Sequence, residues 1–102
     1  MAILLRLVQQ FHASQKQQFM QLEKEFAEVE KRGFWPRGER LTPISSRDPG
    51  NTLIWQCRFD NLAAAEAALK AIEQSPEHTE LVNQQMNYFK DTWIEFYEIL
   101  DY

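Results

Sequence analysis

The stretch DTWIEFYEIL, residues 91–100, decides the fold because it has the composition of a strand with two apolar faces. Successive side chains of an extended strand point to opposite sides. One side therefore holds Trp93, Glu95, Tyr97 and Ile99, and the other holds Ile94, Phe96, Glu98 and Leu100. Each face is mostly apolar and carries one acid, so the pattern predicts that protein covers both faces.

Two further stretches alternate in the same way and predict strands. They are ILLRLVQQFH, residues 3–12, and TLIWQCRF, residues 52–59. Between them, Pro36 and Pro43 remove backbone donors, so any strand in that segment is expected to lie at a sheet edge or to carry a bulge. The segment from Phe34 to Leu41 allows a second interpretation, a mobile flap. Its prolines and charges favour the edge strand.

A first helix is predicted after residue 13. Ser14 and Gln17 have the spacing of a capping box, and Gly33 is suited to a left-handed helix end. Its apolar stripe, at spacings of three and four, is Phe19, Leu22, Phe26 and Val29.

A second helical region follows residue 59. Asp60 or Asn61 is expected to cap a helix with a narrow apolar stripe, and Ser75 with Pro76 begins another helical segment that runs to about Met86. The stripe consists of Leu62, Ala65, Leu69 and Ile72.

The order β-α-β-β-α-β predicts one α+β domain over residues 1–102. We expect a ferredoxin-like, four-stranded antiparallel sheet with the helices on one face. The first and third strands are central, and the fourth lies beside the first.

The other face is left open, and its apolar residues are Leu4, Val8, Ile54, Trp93, Tyr97 and Ile99. An apolar patch of that size favours a homodimer that stacks the two open faces. Glu95 would then lie between the sheets, with Arg6 as its expected partner.

Composition narrows the classes of function. The 44% hydrophobic content indicates a folded domain, and a net charge of −4 with scattered cations argues against nucleic-acid binding. The single Cys57 fits a reducing compartment, and no apolar run is long enough to span a membrane. The N-terminal MAILLRLVQQ is expected to be a strand, not a signal peptide. We therefore expect a soluble, cytoplasmic domain.

The chain resembles the dimeric α/β-barrel superfamily, and within it NIPSNAP-type domains most. The resemblance lies in LLRLVQQFHASQKQQFMQLEKEF, TLIWQCRFDNLAAAEAAL, SPEHTELV and WIEFYEIL, with Arg6 where such domains commonly carry an arginine on the first strand. It implies a ferredoxin-like dimeric barrel. The heme-degrading members use an asparagine, a tryptophan and a histidine. Only His78 falls near one of these positions, so the resemblance does not imply heme.

Three residues are candidates for acid–base chemistry. His12 has a side chain suited to a general base, although an ordinary strand-end histidine is the simpler interpretation. Arg6 with Glu95 would orient a substrate or form a structural ion pair, and the structural pair is favoured. The candidate ligand-binding residues are Trp35, Trp55, Trp93, Tyr97 and Arg58. No metal or cofactor is predicted: the histidines lack zinc-ligand spacing, Cys57 is expected to face the helices, and the sequence has no glycine-rich phosphate loop.

Three functions remain open on sequence grounds, and the sequence does not decide whether the chain is an enzyme. The first is a dimeric barrel that binds a small apolar or aromatic molecule or serves as a structural module. The second is a cofactor-independent monooxygenase or isomerase of a small aromatic or lactone. The third is a stress-related protein-interaction module.

Overall fold

The computed structural model describes residues 1–33 and 35–102. They form an α+β domain with one four-stranded antiparallel sheet, and short 3₁₀ turns precede α1 and β4. The elements are β1 (Ile3–Phe11), α1 (Lys16–Arg32), β2 (Glu39–Leu41), β3 (Thr52–Phe59), α2 (Leu62–Glu73), α3 (Pro76–Gln85) and β4 (Phe89–Glu98).

The strand order β2-β3-β1-β4 confirms the predicted ferredoxin-like topology. β1 pairs with both β3 and β4, so Arg6 lies opposite Gln56 on one side and Glu95 on the other. The short β2 lies at the sheet edge, as the prolines of its segment predicted. Phe34, at the start of that segment, falls outside the described residues.

The main core lies between the sheet and α1. The stripe of α1 is buried as predicted, and Phe19 is fully buried. Its ring stacks on Phe11 of β1 with centroids 4.6 Å apart and meets Phe89 of β4 edge-on at 5.6 Å. These aromatic contacts join the two ends of the chain through α1.

Two predictions about the ends of α1 were wrong. Ser14 lies inside a 3₁₀ turn, and the N-cap residue Gln15 makes no side-chain cap bond. Gly33 is right-handed, with φ −81°, and its N–H continues the helix by donating to Val29 O at 2.9 Å. Glycine has another use here, because a Cβ would lie 3.0 Å from the indole of Trp35. The caps of the later helices are confirmed: Asn61 accepts from Ala64 N at 2.8 Å, and Ser75 accepts from His78 N at 3.3 Å.

The helix side of the sheet is covered less completely than the sequence predicted. In the predicted stripe of α2 only Ala65 is buried, and Leu62 is 41% exposed. On β4, Ile94 and Phe96 point toward the helices and yet remain about half exposed. The helices therefore do not cover the β4 edge of the sheet. They also leave a space over the middle of the sheet.

Candidate functional site

The predicted ion pair lies on the open face of the sheet. Arg6 Nη1 is 3.3 Å from Glu95 Oε1, and the two side chains are about one quarter to one third exposed. Trp93 Nε1 donates to Glu95 Oε2 at 2.9 Å, and Tyr97 Oη donates to Oε1 at 3.1 Å. Both oxygens of this carboxylate are thus engaged. That geometry favours a structural ion pair over an acid–base residue.

The apolar patch on the open face is smaller than predicted. Val8 and Ile54 are already buried in the single chain, at 2% and 6% exposure. Tyr97 is about half exposed, and Leu41, which pairs with Ile54, adds to the same surface. Arg58 is exposed on this face as well. The remaining surface is an amphipathic band around the Arg6–Glu95 pair.

The structure does not bring the other candidate residues together. His12 is exposed just beyond the end of β1, where its backbone N–H donates to Tyr88 O. Six residues of extended chain, about 20 Å, separate it from Arg6. Trp55 lies on the helix side with Leu5 and Cys57, opposite to Trp93 and Tyr97. The five candidates named in this paragraph therefore do not form one pocket.

A cavity of about 270 Å³ occupies the space between the sheet and the helices. We call it the sheet–helix cavity. Ile94 and Glu73, which are exposed, mark its opening beside β4. Its apolar wall includes Leu5, Leu7, Phe26, Trp55, Leu69, Ile72, Val82, Phe89 and Ile94, and its polar wall includes Gln9, Glu23, Glu30, Arg40, Glu73, His78, Gln85 and Thr92.

The polar wall is held by Arg40 of β2. Its Nε donates to Glu23 Oε2 at 2.9 Å, and its two terminal nitrogens donate to both oxygens of Glu30 at 2.9 and 3.1 Å. Gln85 of α3 donates to the other oxygen of Glu23 at 2.8 Å. Burial by itself lowers the pKa of Arg40, but the hydrogen bonds that it donates to Glu30 and Glu23, together with the charges of these two carboxylates, outweigh this effect and leave the pKa raised. One arginine thus joins β2 to α1 and, through Glu23, to α3.

His78 of α3 lies between two aromatic rings at the cavity wall. Its centroid is 5.1 Å from Phe26 and 5.9 Å from Trp35. Burial lowers the pKa of His78, and the charges of Glu30 and Glu73 offset only part of that shift. The imidazole is therefore neutral near pH 7, as a hydrogen-bond acceptor or a general base must be.

Gln9 of β1 also lines the cavity, at 3% exposure. Its amide carries an N–H donor group and a C=O acceptor. Gln9 thus offers a donor and an acceptor to a molecule in the cavity.

Cys57 faces the helices, as expected, and is not a reactive thiol. Its sulfur donates to Arg37 O at 3.4 Å, and burial raises its pKa. The thiol is therefore protonated at neutral pH, which removes nucleophilic character. Among residues 1–33 and 35–102, no three metal-binding side chains converge. No helix in those ranges is long and apolar enough to cross a bilayer.

Sequence reasoning missed most of the polar wall. Gln9 alternates with the apolar residues of β1, and Glu23 stands four residues after Phe19 and three before Phe26. Both positions fall on core-facing sides, which was the available signal. Arg40 gave no such signal, because its segment has no periodicity.

Solved structures share this fold at low sequence identity, whereas neither a protein-family model nor a curated protein sequence matches the chain. A NIPSNAP domain protein from Burkholderia xenovorans superposes with a TM-score of 0.79 at 14% identity, covering 98% of this chain and 95% of its own. A NIPSNAP family protein from Agrobacterium tumefaciens gives 0.82 at 8% identity, with coverages of 100% and 96%.

A third structure is a cofactor-independent oxygenase from Streptomyces nogalater. It gives a TM-score of 0.66 at 13% identity, with coverages of 99% and 95%. These likenesses extend over nearly the whole chain, and they confirm the predicted resemblance at the level of fold. The chain has the ferredoxin-like fold of NIPSNAP-type domains and of the dimeric α/β-barrel proteins.

Proposed function

We propose that this protein is a homodimeric α/β barrel that binds a small apolar or aromatic molecule in the sheet–helix cavity. The observation that carries the proposal is the cavity itself, which combines an apolar wall with a few inward polar groups. Ligand sites in proteins have this composition. An apolar cavity of about 150 Å³ holds benzene, so a space of about 270 Å³ suits a molecule of one or two rings.

The homodimer forms through the open face of the sheet. Its support is the partly exposed band that includes Tyr97 and Leu41, together with the fold shared with dimeric α/β-barrel proteins. A second sheet would cover this band and shield the Arg6–Glu95 pair. The proposal includes a cytoplasmic location, which suits the unpaired, buried Cys57.

A ligand screen by thermal shift tests the binding proposal. Quinols, aromatic lactones and fatty acids are suitable probes. A ligand at about 100 times its dissociation constant adds about 2.7 kcal/mol to the free energy of unfolding, which is a readily measured shift. Leu69→Phe, which projects a larger ring into the cavity, is expected to abolish the shift. Leu62→Phe on the same helix is the matched control, because Leu62 is exposed and does not line the cavity. Loss of binding in both variants, or in neither, contradicts the proposed site.

A second candidate function is isomerisation of a small aromatic or lactone, and the neutral His78 favours it. In such a reaction the imidazole accepts a proton from a carbon next to the carbonyl and returns it to another carbon of the same molecule. Atoms and electrons balance without a cofactor. Turnover in the wild type that is lost in His78→Gln but kept in His12→Gln supports this candidate, whereas equal turnover in the two variants rejects it.

A further inference from the structure

We propose that the sheet–helix cavity selects uncharged aromatic molecules with a hydrogen-bonding group and rejects carboxylates of the same size. This inference rests on the proposed binding function. It specifies the chemical class of the ligand.

The charge of the polar wall excludes anions. Three carboxylates line the cavity, those of Glu23, Glu30 and Glu73, against the single guanidinium of Arg40. Arg40 donates three hydrogen bonds to Glu23 and Glu30, so its charge is compensated by two carboxylates. Among the described residues of the wall, Arg40 is the one cation, and it is already paired, so an entering carboxylate meets a net negative wall. Removing that carboxylate from water then has no compensating partner.

The remaining polar groups suit an uncharged ligand. Gln9 lines the cavity wall at 3% exposure, and its amide can both donate and accept. His78 is neutral and adds a further acceptor or donor. A phenol or amide satisfies these groups without bringing a charge into the cavity. A purely apolar ring forms no hydrogen bond with the Gln9 amide, so we expect it to bind less tightly than a phenol.

Isothermal titration calorimetry with three probes of one ring system tests the inference. The probes are 2-naphthol, 2-naphthoate and naphthalene, at near-neutral pH. We expect naphthol to bind at least about tenfold more tightly than naphthoate, because a buried carboxylate lacks a counter-charge. Naphthoate binding as tightly as naphthol overturns the inference and leaves the proposed binding function standing. Absence of binding by all three probes, and by every member of the ligand screen, rejects the binding function itself.

Two variants test which residues of the cavity wall cause the preference among the three probes. Gln9→Leu keeps a side chain of similar size and is expected to reduce the preference for naphthol over naphthalene. Glu73→Lys changes an exposed wall residue and is expected to improve naphthoate binding relative to naphthol. The exposed Glu80→Lys on α3, outside the cavity lining, is the matched control and should leave that ratio unchanged. Unaltered ratios in both Gln9→Leu and Glu73→Lys contradict the assignment of these residues.

Discussion

Arg40 Nε lies 2.9 Å from Glu23 Oε2, and this contact attaches the three-residue edge strand β2 to the buried face of α1. The Glu23 side chain is only 7% exposed, and that of Arg40 is 23% exposed. A carboxylate this far from water is tolerated only when charged or hydrogen-bonding partners surround it. We therefore expect the pair to contribute to the stability of the domain, and it joins two residues of the cavity wall.

Arg40→Ala is expected to destabilise the protein strongly. Removing one partner of a buried ion pair costs about 3–5 kcal/mol, because the other charge stays behind. For a domain of this size, that lowers the melting temperature by more than about 10 °C. The control is Arg32→Ala, which removes the exposed Arg32–Glu77 pair and should cost less than about 1 kcal/mol. Similar melting temperatures for the two variants contradict the role assigned to Arg40.

Adding Glu23→Gln to Arg40→Ala is expected to recover part of the lost stability. The second change removes the more deeply buried of the two uncompensated charges, that of Glu23, and retains a side chain that can hydrogen-bond to Gln85; the charge of Glu30 remains, so the recovery is partial. Chemical denaturation of the single and double variants measures the difference. A double variant no more stable than Arg40→Ala would show that the buried charge is not the cause of the loss.

Gly38→Ala is expected to disturb the core through Trp55. A Cβ at residue 38 would overlap the indole ring, so the backbone or the ring must move. Overpacking of this kind costs about 1–3 kcal/mol. Gly50→Ala is the matched control, since a Cβ there meets open space. Differential scanning calorimetry should show a lower melting temperature for Gly38→Ala alone, and tryptophan emission should shift in that variant. Equal melting temperatures rule out the steric role of Gly38.

The stability of the protein is expected to fall at acidic pH in part because of His78. The pKa of His78 in the folded state lies below its ordinary value of about 6.5. Below about pH 6.5 the unfolded chain binds the proton first, so the free energy of unfolding falls with pH until the folded-state pKa is passed. Above that range, both states are neutral and His78 has no effect.

His78→Gln removes this contribution and should show a smaller drop in melting temperature between about pH 7.5 and about pH 5. His12→Gln, which changes an exposed histidine, should retain the full drop of the wild type. The prediction fails if the two variants respond to pH alike.

Arg6→Ala tests the proposed dimer as well as the ion pair. If the protein is a monomer, the pair is partly exposed, and Arg6→Ala should lower the free energy of unfolding by less than about 1 kcal/mol. If a second sheet covers the pair, the same change should lower it by about 3–5 kcal/mol. We expect the larger loss, together with a shift toward monomer in light scattering. Arg47→Ala, at an exposed loop position, is the control. A monomeric wild type at micromolar concentration contradicts the dimer directly.

The fold was predictable because local patterns agree with one another. Alternation identified β1, β3 and β4, the stripe from Phe19 to Val29 identified α1, and the order of elements then fixed the sheet. Even the Arg6–Glu95 pair followed, since a carboxylate among apolar residues needs a partner on the neighbouring strand. These predictions depend on the spacing of apolar side chains along a strand or helix, which shows the face that each element buries.

The polar wall of the cavity was much less predictable. Glu23 occupies a core-facing position of α1, but a glutamate amid lysines and glutamines has the composition of a solvated helix surface. Its burial depends on Arg40, which lies 17 residues away in an aperiodic segment. A contact between a helix and an aperiodic segment depends on how the chain folds in three dimensions, and no local sequence pattern indicates it. The candidate ligand-binding residues likewise included aromatic residues from both sides of the sheet, whereas the structure separates them.

The position of β1 between β3 and β4 also has a consequence for the order of folding. Arg6 and Glu95 are 89 residues apart in the sequence, so their pairing must close a loop that spans most of the chain. Phe11 and Phe19, by contrast, are close in sequence and already join β1 to α1. We expect the local aromatic contact to form early and the β1–β4 ladder to form late. Changes at Arg6 should therefore accelerate unfolding far more than they slow folding, so that this ion pair sets the lifetime of the native state.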